Sequence, residues 1–179
     1  MNETKSTIEE LQLVAFMLGE EEYTVPIMSV QEIIMPQKTT HLPKIPDFIE
    51  GVINLRGHII PIIDGRKKLG INSENDPADK RTIILELETH TIGLIVDSVS
   101  EVLHLNTENI DSTHIDMGNE TEVITGIGKY KDRLLILLDP EKLLSSMEVE
   151  NIHKTLQAVK KSSILNEEKP ASKSKKSAV

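Results

Sequence analysis

The chain has 179 residues, 20 of them basic and 29 acidic, for a formal net charge of −9; such a balance repels phosphate backbones and argues against nucleic-acid binding. It contains no cysteine and no tryptophan, and only two Phe and two Tyr, which excludes disulfides, thiolate metal sites and thiol chemistry and argues against stacking platforms for single-stranded nucleic acid. No apolar run approaches the roughly 18–20 residues of a membrane span, and Met1–Glu10 lacks the basic start and apolar stretch of a signal peptide, so the expectation is a soluble cytoplasmic protein without membrane insertion.

In chain order, residues 1–9 read as a flexible leader. Leu11–Leu18 and Tyr23–Ile27 are apolar runs around the polar turn Gly19-Glu20-Glu21-Glu22, which predicts a hairpin. Ser29 is placed to N-cap a short helix through Ile34, with Glu32 three residues on as in a capping box and Pro36 as its stop. Asp47–Leu55, after Pro46, predicts about one helical turn. His58–Ile63 is a β-branched run bounded by Gly57 and Asp64-Gly65, hence a strand. Asn72–Lys80 is polar and contains Pro77, a connector. Thr82–Leu87 and Thr91–Val96 predict a second hairpin, with Ile83, Leu85 and Leu87 in one row and Ile92, Leu94 and Val96 answering it. Ile124–Tyr130 and Arg133–Leu138 predict a third, around Lys131-Asp132. Asp139-Pro140 reads as an N-cap with proline at the first helical position, leading Glu141–Leu144.

Residues 149–164 carry Val149, Ile152, Leu156 and Val159 at spacings of three and four, the pattern of an amphipathic helix. Residues 165–179 read as a disordered Lys/Ser-rich tail, too poor in apolar side chains to offset its ordering entropy. Residues 160–179 hold six lysines against two glutamates, leaving −13 on the preceding 159 residues. The strands fall into two groups along the chain, roughly 10–70 and 80–140, which points to a small barrel or sandwich architecture.

Catalytic and metal-binding patterns are missing. His41, His58, His90, His104, His114 and His153 are scattered, and no pair has zinc-motif spacing. Gly126-Ile127-Gly128 is too short for a phosphate loop, and no Gly-rich run leads a strand into a helix. No Gly-x-Ser-x-Gly elbow occurs. The expectation is no cofactor, no metal and no enzymatic activity.

The informative stretch is Phe48-Ile49-Glu50-Gly51-Val52-Ile53-Asn54-Leu55-Arg56-Gly57, running into His58-Ile59-Ile60-Pro61-Ile62-Ile63-Asp64. Arg56 stands inside one of the most apolar parts of the chain, where an isolated charge is costly unless paired or turned to a functional surface. Asn54 and Gly57 suit positive φ, so the backbone is expected to turn sharply there. Glu32, in Val30-Gln31-Glu32-Ile33-Ile34, is the matching acidic residue in a comparable setting. From the residues alone, a Glu32–Arg56 ion pair and an Arg56 that only caps a solvent-facing turn are both open.

Gly51–Asp64 resembles the signature of the CheW-type chemotaxis coupling proteins, Gly-Val-x-Asn-Leu-Arg-Gly followed by an apolar strand with Pro and Asp. Three more segments agree: Tyr23–Ile33, ending Val-Gln-Glu-Ile; Gly93–Val102; and Leu134–Leu144. Together they span residues 10–148 in order. At Gly65 the family usually has leucine, a departure that bears on the packing of Arg66–Leu69.

The resemblance implies a mostly β fold of two packed five-stranded SH3-like barrels with short helices. It implies a non-catalytic adaptor linking the cytoplasmic tip of methyl-accepting chemoreceptors to the regulatory domain of the histidine kinase CheA, in arrays at the membrane. The alternative is a CheV-like or kinase-regulatory-domain-like module in another sensory pathway; the CheV form needs roughly another hundred residues of receiver domain. Carried over by position, Glu32 and Arg56 are expected to form the family's ion pair beside the receptor-binding groove. Val30, Ile33, Gly51, Asn54, Gly57, Gly93, Val102 and Gly126 match the shared segments and are candidates for groove or interface shape.

Overall fold

The computed structural model describes residues 8–112 and 123–167, with the side chains of 162–167 left aside. The expectations for residues 1–7 of the leader, for His114 and for residues 168–179 of the tail lie outside the described residues.

Eleven strands are found among them: β1 (Glu10–Leu18), β2 (Glu21–Pro26), β3 (Val30–Ile34), β4 (Ile49–Leu55), β5 (His58–Asp64), β6 (Arg81–Glu86), β7 (Thr91–Val96), β8 (Ser98–Asn106), β9 (Ile110–Asp111), β10 (Ile124–Tyr130) and β11 (Arg133–Leu138). A short helix α1 (Gly65–Lys68) and a long helix α2 (Ser146–Glu167) complete the fold. The three hairpins expected from the sequence form as β1–β2, β6–β7 and β10–β11. In the second, Ile83 faces Leu94 and Leu85 faces Ile92, and both rows end in the main core.

Two helical expectations give way to strands. Val30–Ile34 is β3, antiparallel to β6 with Ile33 opposite Ile83. Three of its five residues are β-branched, and their stiff side chains suit a pleated surface better than a helix. The helical turn lies just before it, at Ile27–Ser29. Residues 47–55 likewise make one tight turn, in which Ile49 N donates to Pro46 O at 3.0 Å, and then run as β4 against β5. A backbone ladder with a neighbouring strand outweighs a local capping signal.

The strands assemble as a six-stranded sheet, β8-β1-β2-β11-β10-β9, and a five-stranded sheet, β3-β6-β7-β5-β4. The expected mostly β fold of two packed units is found, with six and five strands rather than five in each, and no ladder joins the first strand of either sheet to its last among the described residues. At one edge of the larger sheet, β8 pairs with β1 through a bulge between Ala15 and Phe16. The sheets also interleave along the chain. β1 and β2 join β8–β11 in one sheet, whereas β3–β7 form the other, so the strand groups at 10–70 and 80–140 are not the two sheets.

The main core lies where the sheets meet and contains Phe16, Val25, Ile63, Leu85, Ile92 and Leu94. Each sheet also curls over a smaller cluster: Leu13, Ala15, Leu103, Leu105, Leu135 and Leu137 in one, and Ile53, Ile60, Ile62 and Ile84 in the other. Burying such side chains contributes roughly 1.5–3 kcal/mol each. At Gly65 the backbone passes so close to β7 that a Cβ would stand 2.7 Å from the Ile95 carbonyl. Glycine there lets α1 settle and brings Leu69 onto the core.

Past β11, Asp139 caps a 3-10 turn at Pro140–Lys142 by accepting from Glu141 N at 3.0 Å. Helix α2 opens with a capping box: Glu148 N donates to Ser145 Oγ (3.2 Å), and Ser145 N donates to Glu148 Oε2 (2.7 Å). Val149, Ile152 and Leu156 lay one face of α2 on the main core. No helix among the described residues is long and apolar enough to cross a membrane.

Candidate functional site

The β4–β5 hairpin presents the arginine. Leu55 pairs with His58, leaving Arg56 and Gly57 as a two-residue loop with φ of 51° and 85°. Positive φ at both positions is the signature of the mirror-image turn whose twist matches the flanking strands. Gly57 takes that backbone at no steric cost. Asn54 braces the loop by accepting from Gly57 N at 2.9 Å.

From this loop the guanidinium reaches back to Glu32. Nη1 donates to Oε1 at 2.5 Å and Nη2 to Oε2 at 2.9 Å, a fork-to-fork pair that fixes both planes. The arginine side chain is 69% exposed and the glutamate 24%, so the pair shows its cationic side outward. The hydrogen bonds from Arg56 hold the Glu32 carboxyl below its ordinary value, against the opposing effect of burial. The same bonds raise Arg56. Of the two readings left open by the residues, the ion pair is the one that forms.

The remaining sequence candidates divide. Asn54 and Gly57 belong to the same loop as Arg56. On β3, Val30 is half-buried against the core and Ile33 is 41% exposed, flanking Glu32. Gly51 in β4 and Gly93 in β7 are buried inside the same sheet. Val102 and Gly126 are not brought to this place. They stand on β8 and β10 of the six-stranded sheet, Val102 exposed and Gly126 buried.

Two features escaped the sequence reading. One is a cavity of about 510 Å³ beside the arginine, walled by Arg56, His58 and Ile59 from the hairpin, His90 from the β6–β7 turn, and Ile152 and His153 from α2. The other is a second bidentate pair. Arg66 Nε and Nη2 donate to the Asp97 carboxylate, both at 2.7 Å. Asp97 stands between β7 and β8, where the chain crosses from one sheet to the other. The usable signal was the one applied to Arg56: a lone charge after the apolar run Ile92–Val96.

The geometry defines a two-sheet β domain whose most prominent polar feature is an exposed ion pair on a rigid hairpin loop. Residues 12–148 match the model of the CheW-like domain family, and the chain belongs to that family. It is 41% identical over 148 residues to the chemotaxis protein CheW of Klebsiella aerogenes, covering 80% of this chain and 89% of that one. To the chemotaxis protein CheW of Helicobacter pylori it is 33% identical over 136 residues, covering 76% and 82%. Among solved structures, the scaffolding protein TtCheW from Thermoanaerobacter tengcongensis aligns with a TM-score of 0.72 at 36% identity, over 78% of this chain and 96% of that one.

Proposed function

We infer that this chain is a non-catalytic adaptor of chemotaxis signal transduction, coupling methyl-accepting chemoreceptors to the histidine kinase CheA. Family membership and the CheW relatives support the role, as does the scaffolding protein of the same fold. The adaptor works in the cytoplasm and is recruited to receptor arrays at the membrane. Its output is contact geometry: a receptor tip and a kinase regulatory domain held on one rigid body sense each other through differential contacts.

The observation that carries the assignment of the site is the bidentate Glu32–Arg56 pair, preformed and exposed on a two-residue loop. Arg56 supplies the charge, and Val30 and Ile33 supply apolar contact on the neighbouring strand. Asn54 and Gly57 set the loop, while Gly51, Gly93 and Gly126 set the shape of the sheets behind. Val102 offers an apolar contact on the other sheet. Co-sedimentation of receptor cytoplasmic fragments with CheA, with and without this chain, tests the role. The chain is expected to raise the kinase recovered with receptors, and Arg56→Ala to reduce that gain. Equal recovery of kinase in its absence would overturn the role.

A further inference from the structure

Helix α2 lies almost wholly beyond the segment matched by the family model, which ends at residue 148. Yet it forms one wall of the cavity beside Arg56, through Val149, Ile152, His153 and Leu156. The lining also includes His90 on the β6–β7 turn. His90 Nδ1 lies 2.8 Å from Thr89 Oγ1, while its Nε2 is buried and meets no hydrogen-bond partner.

A neutral imidazole needs one donor and one acceptor, but an imidazolium needs two acceptors. The docked arrangement supplies a hydrogen-bonding group at Nδ1 only. A second proton would therefore leave a charged N–H buried without a partner, which is far costlier than leaving a neutral nitrogen there. We propose that α2 is a pH-sensitive wall of the Arg56 cavity, released from the β6–β7 turn when His90 takes up a proton.

The neighbouring charges agree with this in balance. From α2, His153 opposes a positive charge on His90. From the 3-10 turn, Glu141 favours it, although its Oε1 already accepts from Glu88 N at 3.0 Å. Glu86 at the end of β6 lines the cavity and Glu88 lies in the turn, while the β4–β5 hairpin contributes His58 and Arg56, the latter committed to Glu32. Burial outweighs Glu141 and pushes His90 below its usual 6.5. Because the docked state binds the proton less readily than the released state, the contribution of neutral His90 to docking is fully present above 6.5. It weakens as pH falls below 6.5 toward the lower value of the docked histidine.

The inference concerns access to the site assigned above, but its test uses the free chain, so it stands or fails separately from partner binding. Hydrogen exchange is measured from pH 7.5 to 5.5, with each rate divided by that of an unstructured peptide at the same pH. Protection of the Ile152–Leu156 amides is expected to fall with decreasing pH, by at most tenfold per unit since one proton is linked. Protection of Ile83–Leu85 is expected to stay level, which separates helix release from global unfolding. His90→Gln should flatten the α2 response, and His153→Gln should make it shallower by removing the α2 side chain that disfavours protonation of His90. Level α2 protection in the native chain overturns the proposal, and so does an undiminished response in His90→Gln. If His90→Gln does not fold, an unchanged response in His153→Gln overturns it.

Discussion

Arg66 and Asp97 tie together four parts of the chain at the seam between the sheets. The arginine lies on α1 and forks onto the carboxylate between β7 and β8, while Asp97 Oδ2 also accepts from Gly19 N in the β1–β2 turn at 2.7 Å. Arg66 Nη1 donates in addition to Asn75 O at 2.7 Å, pinning the connector. The Glu32–Arg56 pair has similar fork geometry but a different setting. It links β3 and the β4–β5 loop, at the two outer strands of the five-stranded sheet, where no ladder runs. The first pair is mostly buried, with side chains 16% and 10% exposed, and serves the fold. The second faces solvent.

Asp97→Asn is therefore expected to destabilise the protein by roughly 2–3 kcal/mol, somewhat below the 3–5 of a fully buried pair that loses one partner. The amide replaces one acceptor with a donor that confronts either the guanidinium or Gly19 N. Urea unfolding reads the loss as a lower midpoint at unchanged slope. Arg56→Ala measured alongside is expected to unfold close to the native chain, since exposed pairs contribute little. Equal losses in the two variants would contradict the division of labour.

Gly57→Val tests the loop. A β-branched residue at positive φ is strained, and the left-handed region costs an ordinary residue about 1–2 kcal/mol. Destabilisation of at least that size is expected, whereas Gly57→Asn, which tolerates this region, should lose much less. Thermal unfolding of the two variants gives the comparison. The same pair of variants probes presentation of Arg56, because a different turn would move its guanidinium off Glu32.

Much of this was legible in the sequence, for a physical reason. Hairpins such as Thr82–Val96 carry their pairing in local alternation, so the row of Ile83, Leu85 and Leu87 and the answering row of Ile92, Leu94 and Val96 could be read without coordinates. Arg56 was conspicuous because a charge amid Ile53, Leu55 and Ile59 demands an explanation. What failed was decided by distant partners. Ser29–Ile34 has a helix-start pattern, but Ile33 becomes a strand residue because β6, fifty positions away, offers a ladder. Sheet membership failed likewise: nothing near β1 says that it lies beside β8. The cavity at Arg56 depends on where α2 returns, and a helix's own periodicity says which face is apolar but not what it covers.

The Glu32 carboxyl gives a pH signature. Hydrogen bonds from Arg56 hold its pKa in the folded chain below the ordinary 4.5. The folded state thus binds that proton less readily than the unfolded state. The pair's stabilisation is present above pH 4.5 and disappears as pH falls through the lower folded value. Compared with Glu32→Gln, the native chain is expected to show a small advantage in unfolding midpoint at pH 7 that shrinks as pH falls below 4.5. An advantage that does not shrink below pH 4.5 would mean that the carboxylate is not what the arginine holds.

Exchanging the two charges separates clasp from contact. Glu32→Arg alone places two guanidinium groups where a fork now closes, and Arg56→Glu alone places two carboxylates there. Both singles should loosen the outer strands of the five-stranded sheet and weaken receptor-dependent recovery of the kinase by roughly tenfold. The double exchange restores opposite charges across the same gap, so the thermal midpoint is expected to return toward that of the native chain. Binding is expected to stay weak, because the outward-facing group at position 56 is then an anion where the native chain presents a cation. Co-sedimentation beside thermal unfolding distinguishes the outcomes. Should binding recover together with stability, the pair acts only by holding β3 to the hairpin, and the partner reads that held arrangement rather than the arginine.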